Sequence, residues 1–277
     1  VSLAPLSLSE RCVGTVPVPL IESSENAIEV RDETGALKRF NRQEVLGLIS
    51  AGATLRPDDD AGEVWLSDGQ RLPGTSLQRS VSDDESLLWL HQRLRQVSIP
   101  IEALHTVRFQ PGAPLPTPGV ADVLRLTNGD RVEGFITGIG DAITLDVNGQ
   151  ETSVPLDRVA SMRLVAVSES RPRGVVRLWL TDGTIMDVAG IALSDDGVLR
   201  VDRPRMAPEI TQQFHDLKDV SGILFNPDLL LPLASLETPS ITGPPTRYIT
   251  PEPMVIDPIA ALGLARVRLD GPLTVRW

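Results

Sequence analysis

Apolar and polar residues alternate in short runs that each end at Asp-Gly or Asn-Gly, and this pattern occurs three times. The runs and their turns are Val64–Leu66 with Asp68-Gly69, Val123–Leu126 with Asn128-Gly129, and Val176–Leu180 with Asp182-Gly183. Alternation with period two is typical of half-buried strands, and these dipeptides tolerate the positive φ angles of a tight two-residue turn. The sequence therefore predicts three hairpins of one kind.

A second pattern follows each hairpin, with apolar residues at positions one, four, seven and nine of a nine-residue segment. These segments are Ile101–Phe109, Leu156–Leu164 and Leu217–Phe225. The wider spacing at the start indicates a 3₁₀ turn, and the closer spacing at the end indicates a strand. Further strands lie between the two halves, such as Ile143–Val147 before the turn Asn148-Gly149. We predict an all-β fold of tandem small barrels, each with five strands.

The repeated pattern resembles SH3-like and Sm-like barrels, and in particular the "LxDGxxxxGxI…IPLxxVxxIxF" modules of bacterial envelope proteins. The resemblance covers about residues 62–225. It implies a small-barrel fold and an extracytoplasmic location, in the periplasm, at the cell surface or secreted. It implies no particular site, because small barrels carry many unrelated functions.

The predicted barrels span residues 61–110, 120–166 and 174–226. The segments "QPGAPLPTPG" and "SESRPRG" separate them, and proline makes such spacers semi-rigid. Spacers this short leave neighbouring barrels in contact, so we expect an elongated array.

Residues 1–60 form a separate predicted segment. Ala27–Val30 and Leu37–Phe40 flank a turn and predict a hairpin. Asn41 and Glu44 have the spacing of a capping box, which predicts a short helix after the hairpin. One hairpin and one helix are too small to fold alone, so we expect this segment to pack on the first barrel.

The third repeat departs from the other two. Val188 stands where the others have Gly74 and Gly134, which predicts a different bend of the strand. An insertion between Val201 and Phe214 is a candidate contact loop, although a tolerated surface insertion is the alternative. The candidate contact residues in this insertion are Arg203, Arg205 and Met206.

Residues 227–277 are rich in proline, and strand-like alternation returns at Ala265–Leu269 and Leu273–Trp277. The segment "LPLASLETPSI…ALGLARVRLDGPLTVRW" resembles the opening part of the NPCBM domain, a carbohydrate-binding β-sandwich. This resemblance implies a glycan as an alternative partner. The strand ending at Trp277 needs a partner edge, so Trp277 is an interface candidate.

Composition excludes several classes of function. Apolar residues make up 41% and charged residues 23% of the 277 residues, which is typical of a globular protein. The net charge is -11 and the cations are scattered, which argues against a nucleic-acid partner. No apolar run is long enough for a membrane-spanning helix. The single cysteine, Cys12, excludes a disulfide within the chain. The start at Val1 instead of Met indicates either that a leader segment was removed or that the chain was trimmed.

Nothing in the sequence assembles a catalytic motif, so we predict a protein that is not an enzyme and has no cofactor. The three histidines lack metal-ligand spacing. Acidic clusters are weak calcium candidates, although solvated turns are the favoured interpretation. The cluster to test first contains Asp58, Asp59, Asp60 and Glu63.

Trp65 and Trp179 occupy equivalent positions just before the turn of their hairpins. Strand alternation directs them away from the face that carries the neighbouring leucines, so both are candidates for packing against a neighbour. Together these features predict a non-enzymatic extracytoplasmic structural or interaction protein, a scaffold or accessory subunit that binds a protein partner or itself. The alternative is a carbohydrate-binding accessory protein of the cell envelope.

Overall fold

The computed structural model describes residues 2–5, 16–17, 20–23, 27–31, 36–41, 45–50, 56, 58, 60–77, 85–117, 119–165, 175–193, 198–225 and 227, and strand segments at 240–242, 255–256, 265–266 and 274–276. Over these residues the chain is all-β, as predicted. Twenty-one strands join one antiparallel sheet, which does not close on itself. Apart from short 3₁₀ turns, the described residues contain no helix.

Each of the three predicted repeats contains five strands. In the first repeat they are β7 (Gly62–Leu66), β8 (Arg71–Ser76), β9 (Ser86–His91), β10 (Arg95–Pro100) and β11 (Leu104–Arg108). In the second they are β12 (Asp122–Leu126), β13 (Arg131–Ile139), β14 (Ala142–Val147), β15 (Gln150–Pro155) and β16 (Val159–Arg163). In the third they are β17 (Val176–Leu180), β18 (Ile185–Leu193), β19 (Val198–Pro204), β20 (Gln212–Asp216) and β21 (Val220–Leu224).

The pairing of strands is the same in all three repeats. The first strand pairs with both the second and the fifth, the second pairs with the third, and the third pairs with the fourth. A 3₁₀ turn precedes each fifth strand, at Ile101–Ala103, Leu156–Arg158 and Leu217–Asp219. The predicted hairpins and 3₁₀ turns are therefore confirmed.

The hairpin turns differ from the prediction in one detail. The loop of the first hairpin has three residues, because the N–H of Leu66 donates to the carbonyl of Gln70 over 2.9 Å. Only the glycines of these turns have positive φ: Gly69 at 83°, Gly129 at 91° and Gly183 at 86°. A single left-handed glycine after a tight turn is the usual three-residue hairpin loop. The predicted two-residue geometry occurs instead at Asn148-Gly149, where both φ angles are positive.

The N-terminal segment has the same strand pairing and is a fourth repeat. Its strands are β1 (Ser2–Pro5), β2 (Val16–Pro17), β3 (Leu20–Ser23), β4 (Ala27–Arg31), β5 (Leu37–Asn41) and β6 (Val45–Ile49). β1 pairs with β2 and β6, β3 pairs with β4, and β4 pairs with β5. The pair β2 and β3 thus takes the place of the second strand in the other repeats.

The predicted N-terminal helix is wrong, because Val45–Ile49 is the strand β6. Val45 and Leu48 are almost fully buried, and β6 lies between β1 and β21. A side chain at Gly47 would collide with the carbonyl oxygen of Ile223, so a glycine allows β21 to approach. Burial between two strands outweighs a local helix preference, which is a weak determinant of structure.

The fifth strands join the repeats in pairs. β11 pairs with β16 around Val107 and Met162, and β6 pairs with β21 around Leu48 and Ile223. Val107, Met162 and Ile223 are equivalent, since each is the seventh residue of its nine-residue segment, and Leu48 is the partner of Ile223 at the second junction. Each junction is therefore an isologous contact about a local two-fold relation. The first repeat joins the second, and the N-terminal repeat joins the third.

The outer hydrogen bonds of the two junctions are also equivalent. At the first junction Phe109 N–H donates to Ala160 O over 3.0 Å, and Leu164 N–H donates to His105 O over 2.9 Å. At the second the corresponding bonds run from Ser50 to Ser221 and from Phe225 to Leu46, over 3.0 and 2.9 Å. The same module therefore makes the same junction twice.

Glycine in the second strand marks a close approach of backbone. A side chain at Gly74 would collide with Leu90 O, and one at Gly134 would lie 2.5 Å from Asp146 O. At the equivalent Val188 no such approach occurs, and β18 pairs with β19 through Val188 and Pro204 without a register shift. A valine side chain is therefore accommodated at this position of the third repeat, and the different bend that the sequence suggested stays a prediction.

In the C-terminal segment β22 (Ser240–Thr242) pairs with β25 (Thr274–Arg276), and β23 (Val255–Ile256) pairs with β24 (Ala265–Arg266). Trp277 lies outside the described residues, and so does most of the NPCBM-like segment. Within the described chain no helix is long and apolar enough to cross a membrane.

Candidate functional site

The first and third repeats meet through the tips of their first hairpins, where Arg71 of β8 pairs with Ile185 of β18. An elongated array, in which only successive repeats touch, would not contain this contact between the first and third repeats. It is lined by a set of polar side chains that we call the inter-repeat network. Its members are Glu63, Asp68, Gln70, Arg71, His91, Arg93, Arg177, Asp182, Thr184, Asp187, Arg205, Gln213 and His215.

The most deeply buried ion pair of the network joins Arg177 and Asp187 within the third repeat. The guanidinium donates to both carboxylate oxygens, over 2.6 and 2.8 Å, and the two side chains are 3% and 0% exposed. Arg177 also donates to the carbonyl of Asp68 in the first repeat over 2.9 Å. This arginine therefore links its own hairpin to the hairpin of another repeat.

Gln70 makes the reciprocal link from the first repeat. Its side-chain carbonyl accepts from the backbone N–H of Asp187 over 2.8 Å, and its amide donates to Asp68 over 2.8 Å. Asp68 also forms an ion pair with Arg205. Because Gln70 is completely buried, both ends of its amide must be satisfied here.

Arg71 continues the network toward Glu63. It forms an ion pair with Glu63, donates to the carbonyl of Gly183 over 2.7 Å, and stacks over Trp65 at 5.5 Å from the ring centroid. Arg108 binds the other oxygen of Glu63 over 2.6 Å. Both carboxylate oxygens of Glu63 are thus occupied by arginines.

Glu63 is one of the four calcium candidates, and both of its carboxylate oxygens are already bound by arginines. Asp58 and Asp60 are exposed, and Asp58 accepts the backbone N–H of Asp60 over 3.0 Å, as in an ordinary turn. Asp59 lies outside the described residues. Over the described part of the chain, no three or more His, Cys, Asp or Glu side chains are grouped so that they could hold a metal ion.

His91 occupies the other end of the network. Its Nδ1 accepts the backbone N–H groups of Arg93 and Leu94, over 3.2 and 3.0 Å, so its proton is on Nε2. Nε2 then donates to the hydroxyl of Thr184 over 3.0 Å, and that hydroxyl donates to Asp182. In this tautomer His91 cannot accept a proton from Thr184, so the pair lacks the geometry of a nucleophile with its base.

Arg93 connects this end of the network to His215. Arg93 donates to Asp182 over 2.8 Å and to Nδ1 of His215 over 3.3 Å. The remaining His215 nitrogen contacts the side-chain carbonyl of Gln213 at 3.1 Å, and the Gln213 amide donates to the Arg93 carbonyl over 2.9 Å. His215 is thus held as a neutral ring between an arginine and a glutamine.

Burial and a neighbouring cation both lower the pKa of the two histidines. Burial is the larger cause, and together with the positive charge of Arg93 it lowers the pKa of His91 and of His215 to about 4, against the opposing effect of Asp182. Burial alone would raise the pKa of Asp182, but hydrogen bonds from Arg93 and Thr184 outweigh it and lower that pKa. At neutral pH the site holds two neutral imidazoles and an ionised carboxylate.

The predicted tryptophans lie beside the network. Trp179 is 5% exposed and packs with Ile185 and Leu224, and Trp65 is a partly buried neighbour of this cluster. Leu46 and Ile49 of the N-terminal repeat complete it. The outward faces of the first, third and N-terminal repeats therefore meet within the chain.

The insertion candidates have different surroundings. Arg203 is exposed and has a positive φ of 42°. Arg205 pairs with Asp68, and Met206 is partly buried against the main core. The sequence did not single out Asp68, Gln70, Arg177 or Asp187 as site residues. Charged residues at strand positions with apolar neighbours on both sides, as in "VVRLWL" and "TIMDVAG", were the available signal.

No protein-family model matches this sequence, and no curated protein matches it.

Proposed function

We propose that the chain is a non-enzymatic structural or interaction protein of the bacterial envelope, a scaffold or accessory subunit built of tandem SH3-like barrels. The spatial strand order 5-1-2-3-4, found in the three predicted repeats, supports the small-barrel assignment. The observation that carries the functional proposal is the inter-repeat network, whose charged groups are used to join repeats. Because these groups bond to one another and fix the positions of the repeats, the arrangement favours a rigid surface made of several repeats over a catalytic site.

The partner surface that we propose includes Leu90 and Phe135. Phe135 is 61% exposed on β13 of the second repeat, and Leu90 is 42% exposed on β9 of the first. β9 and β13 are in contact, so the proposed surface extends over the first and second repeats. Exposed large apolar side chains on adjoining repeats favour a protein contact.

A tagged full-length chain, its native mass measured by light scattering, tests this proposal. We expect a mass well above the 30.0 kDa of one chain, or a reproducible partner from envelope extracts. The double variant Leu90→Ser/Phe135→Ser should lose that association, whereas Val120→Ser, which changes an exposed valine elsewhere, should keep it.

A monomer without a partner contradicts the proposal, and so does an association that the double variant retains. The alternative, a carbohydrate-binding accessory protein, rests on the C-terminal resemblance. It predicts that the full chain binds envelope glycans in an array, and that the Leu90→Ser/Phe135→Ser variant binds them equally well.

A further inference from the structure

A small cavity of about 160 Å³ opens at the junction between the first and second repeats. Its polar lining comes from His105 on β11 and Arg163 on β16. The remaining lining residues are small or apolar: Gly119, Ala121, Val123, Leu164 and Val165. The cavity thus presents a cation and an imidazole on an otherwise apolar wall.

Arg163 of the second repeat and Arg108 of the first are equivalent residues across the local two-fold relation, but their surroundings differ. Arg108 is the eighth residue of its segment, as Arg163 is, and it faces Glu63 across the strand pair and binds it over 2.6 Å. The residue opposite Arg163 is Val123. The second repeat therefore keeps the arginine but has a valine where the first repeat has its carboxylate.

Arg163 has no carboxylate partner among the described residues. Its guanidinium makes one long hydrogen bond, 3.5 Å, to the carbonyl of Pro116. Burial lowers the pKa of Arg163, and no acidic group among the described residues offsets this effect. Because the chain has a net charge of -11, such an arginine is not part of a general excess of cations. A partly buried cation without a counter-ion favours an anion beside it.

His105 can add a second hydrogen-bond donor. Its Nδ1 lies 2.9 Å from the hydroxyl of Thr106. When Nδ1 accepts that hydroxyl proton, the ring proton is on Nε2, which has no partner among the described residues. Burial first, and then the charge of Arg163, lower the pKa of His105, so it is neutral at pH 7. A neutral ring with a free N–H can donate to an oxygen anion.

We propose that this cavity binds a carboxylate carried on a short apolar tail, with Arg163 and His105 holding the carboxylate and Val123, Leu164 and Val165 contacting the tail. Water takes about 30 Å³ per molecule, so a cavity of about 160 Å³ has room for roughly five to six heavy atoms, the size of a short carboxylic acid. Carboxylate fits the guanidinium fork, and Glu63 on Arg108 is the internal precedent in this chain. This inference does not depend on the proposed function.

Butyrate is the probe, added to the isotope-labelled full chain at pH 7 and constant ionic strength. We expect saturable shifts in the millimolar range, centred on the Arg163 side chain and on the amides of residues 105, 121, 123 and 163–165. Arg163→Met should weaken binding by about tenfold or more. Arg200→Met, which removes the same charge from an exposed pair in the third repeat, should bind as the unaltered chain does.

Butyramide, the uncharged isostere, gives a test without any variant. It should cause no saturable shift, and equal shifts from both compounds would overturn the proposal even if Arg163→Met did not fold. Absence of saturation by butyrate would also overturn it. The capped peptides acetyl-Val-Glu-Val-amide and acetyl-Val-Gln-Val-amide distinguish the source of the carboxylate. If the Glu peptide binds as butyrate does and the Gln peptide does not, the source is a protein carboxylate. If butyrate binds and neither peptide does, the source is a free carboxylate.

Discussion

The first repeat meets the second and the third in two physically different ways. With the second it shares a continuous sheet, because β11 and β16 pair by backbone hydrogen bonds around Val107 and Met162. With the third it shares one bridging pair and a buried set of ion pairs and side-chain hydrogen bonds. Backbone pairing tolerates many side chains, whereas the inter-repeat network requires particular residues with particular charges.

The comparison explains how one module can be joined in two ways. The junction of β11 and β16 is repeated by β6 and β21, although the side chains differ at nearly every position. The inter-repeat network has no such second copy among the described residues. We infer that the sheet junctions depend little on charge and pH, and that the network determines which repeats come together across the chain.

The largest effect should come from breaking the most buried ion pair. Arg177→Met leaves Asp187 buried without its counter-charge, and such a loss costs about 3–5 kcal/mol in the free energy of unfolding. Urea denaturation followed by fluorescence measures it. The double variant Arg177→Met/Asp187→Leu should recover most of the loss, because it removes both charges.

The exposed pair of Arg200 and Asp202 provides the control, since it is also an ion pair of arginine and aspartate in the third repeat, with both residues on β19. Arg200→Met should cost less than about 1 kcal/mol. Equal losses for Arg177→Met and Arg200→Met would show that burial of the network does not determine its contribution.

Local sequence chemistry predicted the hairpins well, because Asp-Gly and Asn-Gly dictate a turn wherever they stand between alternating strands. The N-terminal repeat has no such dipeptide in its first hairpin, so its relation to the others was not visible in the sequence. Asn41 and Glu44 instead suggested a helix. Only the pairing of β6 with β21, residues far apart in the chain, overrides that local preference.

The network was missed for a related reason. Gln70 lies just after a turn and Asp187 lies in a strand, and alternation alone does not show that an opposing repeat will bury them. Trp65 and Trp179 could be singled out as contact candidates because their equivalent positions are visible within the repeats. Contacts inside one module can be predicted from its pattern, whereas contacts between modules depend on how the whole chain is arranged.

The second effect concerns acidic pH. His91 and His215 have pKa values of about 4 in the folded protein, below the 6.5 of an exposed histidine. Between these values the unfolded chain binds more protons, so the free energy of unfolding falls as the pH decreases from 6.5 to 4. One pKa unit corresponds to about 1.4 kcal/mol, and partial solvent access reduces the gain, so we expect a loss of roughly 2–4 kcal/mol for the two together.

Urea denaturation at several pH values measures this loss. Amide exchange then separates the contact between the first and third repeats from the sheet junction between the first and second. His91→Gln should flatten the pH dependence, since glutamine cannot become charged. Amide exchange in β8 and β18 should increase on acidification before exchange in β11 and β16 does. Simultaneous loss of protection in all four strands would contradict the inference that only the network is sensitive to pH.

The smallest effect compares one turn inside the network with the same turn outside it. In the first hairpin of each of the three predicted repeats an Asp or Asn side chain accepts the N–H two residues later. Asn128 does so with Asp130 over 3.1 Å at an exposed site. Water can replace that acceptor, so Asn128→Ala should cost about 0.5–1 kcal/mol. Asp182 makes the equivalent bond to Thr184 and also binds Arg93, so Asp182→Ala should cost about 2 kcal/mol.

Thermal unfolding of the two variants gives the difference directly. Because the turn geometry is shared, the excess loss in Asp182→Ala measures what the inter-repeat network adds to a turn, and equal losses would mean that Arg93 is solvated as easily as it is paired.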